Sequence, residues 1–167
     1  MTHGHLFAGQ YRIASTRLKN WDYSSIGYYS VTICTKNKQP FFGNIEEIEK
    51  EPGAAIRLSS IGTIVEKLWL QIPMWYPNVS LDEKQIMPNH IHGVLFIEEQ
   101  VKYVTLGLVI NQLKAECTKE IRSNGMQNFA WQPRFHDHII RNEKDLERVR
   151  QYIRENPAAL LFGEDED

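Results

Sequence analysis

Two histidines one residue apart open the stretch of this sequence richest in chemistry, Met87-Pro88-Asn89-His90-Ile91-His92-Gly93-Val94-Leu95-Phe96-Ile97. The stretch is apolar beyond His92 and reads as a buried strand, on which residues i and i+2 share a face. His90 and His92 then present two imidazoles side by side while Ile91 points the other way. Two imidazoles on one face are the beginning of a divalent-metal site, and two packed rings without a ligand are the competing reading. A second pairing lies on the closing helix. At about 100° per residue, Leu146, Val149 and Ile153 form an apolar stripe, and Tyr152 and Asn156 sit about 40° apart on its flank. A phenol and a carboxamide are thereby placed one turn apart at the edge of the core. Read alone, Tyr152 is equally a boundary aromatic with a wet hydroxyl, and Asn156 a helix-ending residue before Pro157. His136 and His138 repeat the His-x-His spacing on another strand.

The elements that would position these groups follow from periodicity. Tyr28 to Thr35 alternates and is rich in β-branched and aromatic residues, hence a strand, and Lys36 to Pro40 is a turn. Phe41 and Phe42 begin a short second segment; Glu46 to Lys50 is a polar connection broken by Glu51-Pro52-Gly53. Helical spacing at Ile61, Ile64, Val65, Leu68 and Ile72 predicts a first helix from Ser59 or Ser60 to about Met74, closed by Pro73 and Pro77. Val79 to Met87 and Ile91 to Ile97 read as paired strands. A second helix runs from about Leu106 to Arg122, a strand from Phe135 to Arg141, and a third helix from Glu143 to Glu155. Asn142 is its N-cap with Asp145 at N3, and Pro157 disfavours helical geometry at Asn156. Strands and helices interleaved as β, α, β-β, α, β, α give an α+β domain of two layers with a mostly antiparallel sheet, a pattern that an RNA-recognition module shares.

Asn89-His90-Ile91-His92 after Met87-Pro88 resembles the His-hydrophobe-His motif of HUH single-tyrosine transposases, the insertion-sequence-200-like and REP-associated tyrosine transposases. Trp21-Asp22-Tyr23, Gly27 to Thr35 and Phe41-Phe42-Gly43 look like the opening segment of the REP-associated branch. Trp131 to Asn142 and Tyr152-Ile153-Arg154-Glu155-Asn156-Pro157 look like its closing segment, so the resemblance runs from about Tyr11 to Leu160. It implies the ferredoxin-like palm of these enzymes, Tyr152 as nucleophile, and a metal shell of His90, His92 and Asn156. A tyrosine nucleophile forms a covalent 5′-phosphotyrosine and frees a 3′-hydroxyl, conserving the bond energy without a nucleotide cofactor. The implied cofactor is Mg²⁺ or Mn²⁺, with imidazole ligands favouring manganese. His136 and His138 fall outside the metal motif and are assigned to packing or DNA contact. The implied partner is single-stranded or hairpin DNA, with monomer and homodimer both open. Arg134, Arg141 and Lys114 are candidate phosphate contacts and Trp131 a stacking platform. Trp21 and Tyr23 belong to a segment that the resemblance associates with reading a hairpin foot. Two other functions stay open: a hairpin-binding protein without turnover, and an unrelated metal-dependent phosphohydrolase.

Composition bounds these readings. The 167 residues, 42% hydrophobic, suit one domain with a substantial core. The expected division is a flexible segment 1–10, one domain 11–162 and an acidic tail 163–167. No run reaches membrane-spanning length and no secretory leader opens the chain, so a cytoplasmic protein is expected. Cys34 and Cys117 lack partners at ligand spacing and read as reduced packing residues. The net charge of −2 is unevenly spread: +4 over 1–40, −4 over 41–110, +3 over 111–154 and −5 over 155–167. The acidic tail thus conceals two basic regions that a phosphate chain would seek.

Overall fold

The computed structural model describes residues 6–7, 10–11, 17–49 and 53–162. In chain order these form β1 (Leu6–Phe7), β2 (Gln10–Tyr11), β3 (Gly27–Cys34), a 3₁₀ turn (Lys36–Lys38), β4 (Gly43–Glu47), β5 (Ala54–Leu58), α1 (Ser60–Leu70) and α2 (Ile72–Trp75). They continue with β6 (Val79–Met87), β7 (His90–Ile97), α3 (Leu106–Ser123), β8 (His136–Ile140) and α4 (Glu143–Phe162). The central sheet has the order β6-β7-β3-β8, with every neighbouring pair antiparallel. β1 pairs with β2 and β4 with β5. The rest of the expected flexible N-terminal segment and the acidic tail 163–167 lie outside the described residues.

Alternation sorts the sheet into two different faces. Tyr29, Val31, Ile33, Ile91, Leu95 and Ile97 point to one side, where they bury a core with Val65, Leu68 and Trp69 of α1 and Val109, Ile110, Leu113 and Cys117 of α3. Both helices begin on side-chain caps: Ser59 accepts the Gly62 N–H at 3.0 Å, and Thr105 accepts the Leu108 N–H at 3.2 Å. The residues between them, Tyr28, Ser30, Thr32, His90, His92 and Val94, face the other side. There α4 lays Leu146, Val149 and Ile153 on Val94 and Ile140. The α+β, mostly antiparallel architecture is as the sequence predicts, with α1 and α3 completing the two-layer body and α4 crossing the opposite face.

Three boundaries differ from expectation. The polar connection at Glu46 to Lys50 is in part strand, because β4 pairs with β5 from Gly43↔Leu58 to Glu47↔Ala54. Gly43 makes that approach possible: its φ is +153°, and a Cβ there would stand 2.2 Å from the Arg57 carbonyl oxygen. The first helix stops at Leu70 and Pro73 sits in the first turn of α2, where a missing N–H does little harm. The last helix does not end before Pro157 but runs to Phe162. Pro157 is buried and α4 packs against the β4 and β5 strands, so tertiary contact outweighs the roughly 3 kcal/mol that an internal proline costs a helix. The N-terminus of α4 is as expected, with Asn142 Oδ1 accepting the Asp145 N–H at 2.8 Å.

Candidate active site

β7 presents His90 and His92 on the α4 face, and the two Nε2 atoms meet at 3.0 Å. Each outer nitrogen is also engaged. His90 Nδ1 donates to Asn89 Oδ1 at 2.5 Å, which leaves its Nε2 as a lone-pair acceptor. His92 Nδ1 lies 3.0 Å from Thr32 Oγ1, a contact created by the register that sets Thr32 opposite His92. A hydroxyl serves either way here. With Thr32 donating, His92 carries its proton on Nε2 and donates to His90; with Thr32 accepting, the proton moves to Nδ1 and both Nε2 lone pairs face the same point. Burial, then the neighbouring His92 and Lys38, push the His90 imidazolium down to about 3. Burial pushes that of His92 down to about 4. Both rings are therefore neutral at neutral pH, the form that binds metals.

The strand is seated from below. Gly93 lies directly on the Trp69 indole, and a Cβ at that position would come within 2.3 Å of the ring. Any larger residue would lift β7 and both histidines with it.

α4 brings the other half of the site. Tyr152 is 56% exposed, and its ring meets that of His92 edge-on at 5.6 Å between centroids. The roll of the helix is fixed from its far flank. In β6 the register slips by one residue, so that Asp82 and Glu83 together lie opposite Val94. Arg150 donates from Nε and Nη2 to the two Asp82 oxygens at 2.7 and 2.6 Å, and Arg154 donates to Glu83 at 2.9 Å. The Arg150 bonds hold the Asp82 carboxyl below its usual range. With Arg150 and Arg154 turned to β6, Tyr152 and Asn156 turn to the side of the histidines. Asn156 is half-buried one turn beyond Tyr152.

The two histidines fit a divalent ion: their inward nitrogens converge, and their outward nitrogens are already oriented by Asn89 and Thr32. Among the described residues no three His, Cys, Asp or Glu side chains group closely enough to hold a metal. A third protein donor would have to be of another kind: Asn156, one turn beyond Tyr152, and Gln85, opposite His92 in the β6–β7 register, are amides on that side. Thr32 and Asn89 were missed as site residues. Asn89 stood in the motif itself, whereas the role of Thr32 depends on strand register and left no local signal.

The family model for IS200-like transposases matches residues 23–156, from ahead of β3 to the end of the Tyr152–Asn156 turn. The chain belongs to this family. An uncharacterised protein of Haemophilus influenzae is 36% identical, the match covering 95% of this chain and 94% of that one. A second protein of the same organism, described as a candidate REP-associated tyrosine transposase, is 32% identical over 44% of this chain and 46% of its own length. Among solved structures, a REP-associated tyrosine transposase bound to a REP hairpin superposes with a TM-score of 0.63 at 19% identity, covering 89% of this chain and 74% of that one. At that identity the likeness concerns the fold.

In this IS200-like transposase the remaining candidates separate into two regions. At the histidine end, Lys114 Nζ donates to the carbonyls of Gln132 and Arg134 at 2.9 and 3.0 Å, and Trp131 Nε1 donates to the Lys114 carbonyl at 3.1 Å. Trp131 also packs on Phe42 and Phe129. Both residues hold the segment leading into β8, while Arg134 is exposed with a left-handed φ of +67°. Trp21 and Tyr23 lie elsewhere, on the opposite side of the sheet: Trp21 Nε1 donates to Tyr29 Oη at 3.2 Å, and the Tyr23 ring stands 6.0 Å from that of Tyr29. Tyr23 shares a cavity of about 330 Å³ with Arg141 and Asn142. The structure therefore joins Tyr152 to His92 but does not bring Trp21, Tyr23 or Arg141 to them. No helix among the described residues is long and apolar enough to cross a membrane.

Proposed function

We propose that this transposase cleaves and rejoins single-stranded or hairpin DNA through a phosphotyrosine at Tyr152. The observation that carries the reading is the edge-on approach of Tyr152 to His92, above two imidazoles whose Nε2 atoms converge. In the step proposed, the Tyr152 oxygen bonds to phosphorus as its proton leaves. The bond from phosphorus to the 3′-oxygen breaks, and that oxygen departs as a 3′-hydroxyl. Rejoining is the same exchange in reverse, with a DNA 3′-hydroxyl as the attacking group, so bond number is conserved throughout. His90, His92 and Asn156 would hold Mg²⁺ or Mn²⁺, which supplies charge stabilisation to the phosphoryl oxygens. Burial keeps the two imidazoles neutral, and Asn89 and Thr32 aim them. α4 lies on the sheet of its own chain, so one copy suffices to bring Tyr152 to its own histidines. A hairpin substrate is supported by the fold it shares with a transposase bound to a REP hairpin.

The test is a labelled DNA hairpin with single-stranded flanks, drawn from any palindromic repeats found to border the gene, incubated with Mn²⁺ and run under denaturing conditions. The wild type is expected to give a slow-migrating covalent species, and Tyr152→Phe none, with hairpin affinity within about twofold because one hydroxyl contributes little to a large polar interface. An adduct that persists in Tyr152→Phe places the nucleophile elsewhere.

A further inference from the structure

The second His-x-His pair is not used by the reading above, and its members differ. His138 Nε2 lies 2.7 Å from Asp145 Oδ2 and so ties β8 to the first turn of α4. The His136 side chain makes no hydrogen bond among the described residues, and the residue is only half-buried. Register gives it a definite place: His136 pairs with Thr32, and Thr32 pairs with His92. The three lie in one row across β8, β3 and β7 on the face that α4 crosses. Ser30, two residues before Thr32, is likewise half-buried, and its hydroxyl makes no hydrogen bond among the described residues. The apolar stripe of α4 closes over Val94 and Ile140, and Tyr28 packs beside them. Thr32 and His136 lie one row beyond Val94, forming a polar floor from His92 to the edge strand, with Ser30 beside it between Val94 and His138. Arg134, exposed, stands where β8 begins.

Ser30 and His136 side chains without hydrogen-bond partners, beside the Thr32 hydroxyl and with a guanidinium at the rim, suit a chain of acceptor oxygens of negative charge. We propose that His136 is a DNA-contact residue. Its imidazole N–H donates to a non-bridging oxygen of a phosphate neighbouring the one attacked by Tyr152, as the single strand crosses the floor toward β8. The proposal rests on strand transfer at Tyr152 and adds the direction in which the strand runs.

Methylphosphonates placed singly along the flank of the hairpin test it, since each removes one phosphate charge. His136→Ala is expected to slow adduct formation roughly tenfold, the scale of one hydrogen bond to a charged group. His136→Gln, which keeps an N–H donor, should recover most of that loss, and metal affinity and melting temperature should match the wild type. One methylphosphonate position should slow the wild type about tenfold and His136→Ala no further. Wild-type rates in His136→Ala, or losses that add at every position, overturn the assignment. If the wild type forms no adduct, the strand-transfer reading fails by itself. The same coupling is then measured in hairpin affinity, where its presence supports the contact and its absence ends it.

Discussion

His90-x-His92 and His136-x-His138 have the same spacing and face the same side of one sheet, yet only the first pair converges. The difference lies in the strand that carries them. β7 is an interior strand, flanked by β6 and β3, seated on Trp69 and lying beneath α4, so its imidazoles are held close and neutral. β8 is an edge strand, and its two histidines go separate ways, one to Asp145 and one to open polar surface. A His-x-His spacing therefore states a shared face and nothing about convergence. Convergence comes from what lies above, below and beside the strand.

The largest contrast should appear on truncation. His90→Ala or His92→Ala is expected to abolish calorimetric Mn²⁺ binding and to lower adduct formation at least about 100-fold, as loss of a charge-stabilising site does. His138→Ala should leave Mn²⁺ affinity unchanged and cost about 1 kcal/mol or less in urea unfolding, since His138 is half exposed and Asp145 keeps its pairing with Arg148. Metal binding lost in His138→Ala but kept in His92→Ala would reverse the comparison.

Thr32 sharpens it. Thr32→Val keeps the shape but removes the hydroxyl beside His92 Nδ1, and a roughly tenfold loss of Mn²⁺ affinity is expected, with Thr32→Ser restoring it. Equal affinity in the valine variant would show that packing alone orients the ring.

Acid provides the most graded contrast. The His90 and His92 imidazolium forms are pushed down to about 3 and about 4, below the ordinary value of 6.5. Between those values the unfolded chain binds more protons than the folded one. In metal-free protein, stability is therefore full above about pH 6.5 and falls as pH drops toward 4, by up to about 1.4 kcal/mol per pH unit for each ring. Urea titrations from pH 7 to 4.5 should show a shallower slope in His92→Asn than in the wild type. An identical slope would place the acid sensitivity in other groups.

Which parts were legible in the sequence follows from how local each signal is. The two-residue period of β7 and the turn-by-turn placement of Tyr152 and Asn156 on α4 need only neighbouring residues, so the face and flank could be read directly. Thr32 needed the β3–β7 register, which no short window contains. β4 carries one β-branched residue, Ile45, among Gly43, Asn44, Glu46 and Glu47, and its strand character comes from pairing with β5. The continuation of α4 through Pro157 also depends on tertiary packing that overrides a local preference. Lys114 and Trp131 had the composition of a nucleic-acid contact and serve as braces for the segment entering β8.

The extra residue in β6 gives the site a dependence on counting. Asp82 and Glu83 both reach α4 because two residues there face one on β7. With one residue fewer between Leu81 and Lys84, the strand would pair without interruption and offer the helix a single carboxylate. Arg150 and Arg154 would then compete for it, and the helix would settle at another roll. The aim of the phenol is thus gauged at the edge of the sheet, by the length of a strand that carries none of the chemistry.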